Sequence, residues 1–160
     1  MADWKDEELA RHKAEKERAE QEVKEQQRRR DLIKQNARRI LIELTAVVAA
    51  EVADYQSRPA YAADRTLRID FNSHPAGGFT VDKTHYPAAS LVCGLDRNGT
   101  NIVYRRSYTR DARSVALSED GGFDLIVNAK DEVVIGGLEE RSSLSDIAES
   151  LLRPVFQPRV

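Results

Sequence analysis

The sequence predicts an α+β fold in which a long N-terminal helix packs its second half on an antiparallel meander of six to seven short strands, followed by a C-terminal helix. Three observations predict it. No Gly or Pro occurs before Pro59, so nothing interrupts a helix over the first 56 residues. From Leu67 to Ile135 apolar and polar residues alternate, with turn residues between the runs. After Ser143 the apolar spacing returns to three and four.

Charge divides the chain before any element is assigned. Residues 1–39 hold 22 charged side chains and 11 hydrophobic ones, whereas the other 121 residues hold 30 and 54. Only the second group can build a core, which predicts a charged, projecting helical arm over 1–39 and one α+β domain over 40–160. The net charge of −2 is too small for a globally basic nucleic-acid binder. The single cysteine, Cys93, cannot form an internal disulfide, and the first residues lack a basic stretch followed by an apolar one. The expected location is therefore cytoplasmic, and the most apolar segment, 40–52, is shorter than the ~20 residues of a membrane span.

The first helix is expected from Asp3 to Gln56. Asp3 suits the N-cap, and Asp6, Glu7 and Glu8 follow in the first turn, where exposed N–H groups and the positive dipole end favour carboxylates. Opposite charges four apart recur, among them Glu7/Arg11, Lys16/Glu20 and Glu25/Arg29, each contributing ~0.2–0.5 kcal/mol. Ile33, Ala37, Ile40, Leu41, Leu44, Val48, Val52 and Tyr55 then form a continuous apolar stripe. Upstream the same phase gives Ala19, Val23, Gln26 and Arg30, a poor seam for a stable coiled coil, which wants branched aliphatics. Leu9, Ala19, Val23 and Arg30 are the candidate partner-binding positions of the arm.

Strands are expected around Leu67–Phe71, Phe79–Val81, Leu91–Leu95, Asn101–Tyr108, Ser114–Ser118, Phe123–Val127 and Glu132–Ile135. Asn98-Gly99 suits a hairpin that needs positive φ. Glu119-Asp120-Gly121-Gly122 and Gly136-Gly137 read as turns. Ser143, with Asp146 three residues on, resembles a capping box, and Leu144, Ile147, Ala148, Leu151 and Leu152 give the last helix one apolar face, which Pro154 is expected to end or kink.

No catalytic constellation is visible. The chain has no Gly-x-Ser-x-Gly elbow, and its Gly-Gly pairs match neither phosphate-binding fingerprint. Cys93 lies in an alternating apolar run, as a buried thiol would. Asp82 and His85 stand three apart, which places them on opposite faces of a strand, so no metal site is expected, and no cofactor is implied. The most suggestive polar cluster is Tyr104, Arg105, Arg106, Tyr108, Arg110 and Arg113, which combines phosphate-pairing guanidinium groups with stacking rings. Its plainer explanation is a charged sheet edge that discourages aggregation. Basic residues also crowd the base of the arm, at Arg28, Arg29, Arg30, Lys34, Arg38 and Arg39.

The leading expectation is a non-enzymatic assembly or adaptor protein that binds a partner chain, or its own copy, through the charged helix. The first alternative is a nucleic-acid-associated protein using the Arg-rich strand and the arm. The second is a small-ligand or enzymatic domain with a pocket between sheet and helix.

Overall fold

The computed structural model describes residues 3–136 and 143–158. Helix α1 runs Trp4–Gln56, 53 residues, with the Asp3 carboxylate accepting the Lys5 N–H at 3.3 Å. At ~1.5 Å per residue it is about 80 Å long. Every residue from Trp4 to Lys24 is exposed. Leu32 and Ile33 are the first to lean on the core, and Ala37, Ile40, Leu41, Leu44, Val48 and Val52 are buried. The stripe read from the sequence is thus the buried face of α1.

Of the opposite charges placed four apart upstream, Glu25/Arg29 closes at 3.2 Å, while Arg11 turns to Glu8 at 3.5 Å. The others stay apart, as expected where solvated side chains gain little by fixing one geometry.

After α1, Pro59 opens the short helix α2, Pro59–Ala63, and the Asp64 side chain caps a single 3-10 turn over Arg65–Leu67. Leu67 is therefore in that turn rather than in the first strand. The sheet comprises β1 (Ile69–Ser73), β2 (Phe79–Lys83), β3 (Ala88–Leu95), β4 (Asn101–Thr109), β5 (Leu117–Val127) and β6 (Val133–Ile135). Each strand pairs antiparallel with the next, so spatial order equals chain order. The tight connections follow the turn chemistry of the sequence: Gly99 takes φ 69°, and the Asp96 carboxylate receives the N–H groups of Thr100 and Asn101. In the β1–β2 hairpin Gly78 takes φ 91° and presses on the Cys93 carbonyl, leaving no room for a Cβ.

The main correction concerns β5. Two strands separated by a turn at Glu119–Gly122 were the expectation, but one strand of 11 residues runs through both glycines. Gly121 stands opposite Tyr104, whose ring lies where a Cβ would project, and Gly122 stands opposite Val103. The glycines make room for an aromatic neighbour within a sheet, an arrangement that composition alone cannot distinguish from a turn. The strand count among the described residues is accordingly six. Of the Gly136-Gly137 turn, Gly137 lies outside the described residues.

Helix α3, Leu144–Phe156, starts with the capping box: Ser143 and Asp146 each accept the other's backbone N–H. It does not stop at Pro154 but continues to Phe156. The buried half of α1 and all of α3 share one face of the sheet. Between them lies a single apolar cluster that includes Ile69, Phe79, Val81, Leu91, Cys93, Ile102 and Leu125 from the strands. The stacked rings of Tyr55 and Phe156, 4.2 Å apart, join the ends of the two helices.

Candidate functional site

Three regions bear on function: the arm, the Arg-rich strand and the cleft beside β1. On the arm, Leu9 and Val23 are 67% and 66% exposed, and Ala19 and Arg30 are exposed as well. At 100° per residue these four fall within about 80° of arc, so they share one face. Trp4 is also exposed. Among the described residues, the arm's side-chain hydrogen bonds to other parts of the fold are at its base, where Arg28 reaches Asp131 in the β5–β6 turn at 3.1 Å and Arg38 donates to the Pro75 carbonyl in the β1–β2 turn at 3.2 Å. Arg28 also closes on Glu25 at 2.7 Å. Hydrogen bonds from Arg28 and Arg29 hold the Glu25 carboxyl down to about 2.

On β4 the alternation decides which arginines face outward. Ile102 is fully buried, so Tyr104, Arg106 and Tyr108 turn inward with it, while Arg105 turns to solvent. The strand ends at Thr109, so Arg110 and Arg113 lie in the connection to β5, exposed and free of ion pairs among the described residues. The six residues thus do not form one surface. Arg105 pairs with Asp120 directly opposite, its Nε 2.8 Å from the carboxylate. Arg106, with its side chain 12% exposed, has Nε 2.7 Å from Glu119 and its guanidinium 4.9 Å from the centre of the Tyr104 ring. The Nε contact is a charge contact only, because its N–H is not aligned for a hydrogen bond. The Tyr108 hydroxyl donates to the same Glu119 at 2.7 Å, and burial followed by this bond pushes its ionisation up to about 12.

Arg106 also donates to the Ser150 carbonyl in α3 at 3.1 Å. Pro154 is four residues after Ser150 and has no N–H, so that carbonyl lacks its usual helical partner four residues on. Arg106 supplies one. This explains how α3 passes through a proline, and it gives Arg106 a structural task. The sequence signal was available as acids and arginines at matching distances from one hairpin, but it was hidden by reading Glu119 and Asp120 as a turn.

Between α1 and the β1 edge lies an open cleft of about 740 Å³, lined by residues that include Val52, Gln56, Ile69, Asp82 and Lys83. Lys83, the one buried charged residue among those described, was not singled out by the sequence reading because it ends an otherwise ordinary alternating strand. Its ammonium donates to the His85 and Pro87 carbonyls, both at 2.8 Å, and desolvation lowers its pKa. The outer backbone groups of Ile69 are taken by side chains: Tyr61 Oη accepts its N–H and Gln56 donates to its carbonyl. Cys93 is buried, which pushes its thiol up to about 12. Among the described residues no three His, Cys, Asp or Glu side chains converge as a metal site would require, and no helix is long and apolar enough to cross a membrane.

No family model, curated protein or solved structure matches the chain.

Proposed function

We propose that the protein is a non-enzymatic assembly module whose N-terminal helical arm docks against a helix of another chain. The supporting observation is the full exposure of residues 4–24 in a continuous helix that carries Trp4, Leu9 and Val23 at its surface. Residues 4–24 bury nothing against their own domain, and the large apolar side chains among them are better accommodated against a second helix. The nucleic-acid alternative has weaker support, because Arg105 and Arg106 are already matched by Asp120 and Glu119. The cleft beside β1 offers space, but its lysine is occupied by two backbone carbonyls.

Chemical cross-linking through the arm lysines, Lys5, Lys13, Lys16 and Lys24, tests this reading in the full chain. Links from these lysines to a helix in another polypeptide are expected, with loss of the complex when residues 1–24 are removed. Complexes unchanged by that deletion would refute it.

A further inference from the structure

Resting on the docking role of the arm, we infer that the helix it binds is the same arm of a second copy, running antiparallel. The arm divides into four blocks of eight residues. Residues 3–10 carry −3, 11–18 carry +2, 19–26 carry −2 and 27–34 carry +3. In a parallel, in-register pair every block meets its own charge. In an antiparallel pair, with residue numbers of facing positions summing to about 37, block 3–10 meets 27–34 and block 11–18 meets 19–26. All four facing blocks are then of opposite sign.

Each block spans ~12 Å of helix, and paired helices sit ~8–10 Å apart. With a screening length of ~8 Å at physiological salt, a facing helix senses the summed charge of a block more than any one side chain. The structure sets the limits of the pairing. It ends at Lys34, just before Ala37, the first fully buried residue of α1. Arg28, tied to Asp131, marks where the domain meets the helix. Antiparallel pairing therefore places the two domains at opposite ends of the shared segment, whereas parallel pairing crowds them together. The face bearing Leu9, Ala19 and Val23 is the one available to the second copy, and in this register Trp4 of each chain lies at the level of Ile33 of the other.

The test uses the full chain with single added cysteines, since native Cys93 is buried. Under mild oxidation Ala19→Cys, near the two-fold axis, is expected to form a disulfide-linked dimer and Leu9→Cys is not. A parallel pair would link at both positions and overturn the orientation. Sedimentation should show a dimer whose dissociation constant rises at least about fivefold between 50 and 300 mM NaCl. Arg29→Glu with Arg30→Glu in one chain, and Asp6→Lys with Glu7→Lys in another, should each weaken self-association. Mixing the two should restore a dimer, since the altered blocks are again opposite. A strict monomer at low salt would overturn self-pairing. If the arm lysines then cross-link to a different polypeptide, the docking role stands without it. If they link to nothing, both fail.

Discussion

Replacing Arg106 by Met tests the claim that a strand arginine completes a helix. Methionine keeps most of the aliphatic volume while removing the donor to Ser150, the charge beside Glu119 and the cation over Tyr104. Losing a partner for the Ser150 carbonyl costs about 1 kcal/mol. The ion pair to half-exposed Glu119 contributes about 0.5–1 kcal/mol, and the cation–π contact about the same. The expected loss is about 2–3 kcal/mol, which for a chain of this size lowers Tm by about 5–10 °C. The decisive measurement is a double-mutant cycle by urea denaturation. Pro154→Ala returns an N–H to the helix, so the Ser150 carbonyl no longer depends on Arg106. Arg106→Met should then cost about 1 kcal/mol less in the Pro154→Ala background than in the native one. Equal costs in both backgrounds would refute the link between the two residues.

Gly121→Val should destabilise by about 1–3 kcal/mol in the same denaturation assay, because its side chain displaces the Tyr104 ring, and with it the stack under Arg106. Cys93 should not react with an aromatic disulfide reagent at pH 8 until the chain unfolds, since its thiol is buried and titrates near 12. Tyr108 should ionise near pH 12 in ultraviolet titration. Its folded pKa is raised above the unfolded value near 10, so its contribution to stability is present below pH 10 and is lost as pH rises from 10 to 12. Tyr108→Phe should remove that component of the alkaline instability.

Much of the architecture was legible because its signals are local. The absence of helix breakers before Pro59, the cap at Asp3, the stripe from Ile33 to Tyr55 and the capping box at Ser143 each depend on neighbours within one or two turns. The hairpin at Asn98-Gly99 was equally plain. What failed depended on residues far apart in sequence. Gly121 and Gly122 serve Tyr104 and Val103, almost twenty residues earlier. Pro154 is tolerated through an arginine 48 positions upstream. The Arg-rich cluster was visible as composition, but which arginines point outward depended on where β4 stops and on the register with β5. Lys83 gave no signal, because the His85 and Pro87 carbonyls that hold it lie in the loop after β2, outside the alternating strand.

The unbroken run of α1 from Trp4 into the core has a mechanical consequence. No hinge lies between the distal tip and the buried turns beneath the strands, so the arm is a rigid handle and not a tether. Whatever grips the tip also biases the azimuth of the sheet, and a twist applied there is carried along the helix to Leu41 and Leu44. Three or four glycines inserted near Lys24 would leave the grip intact and abolish that alignment, separating the capacity to hold from the capacity to orient.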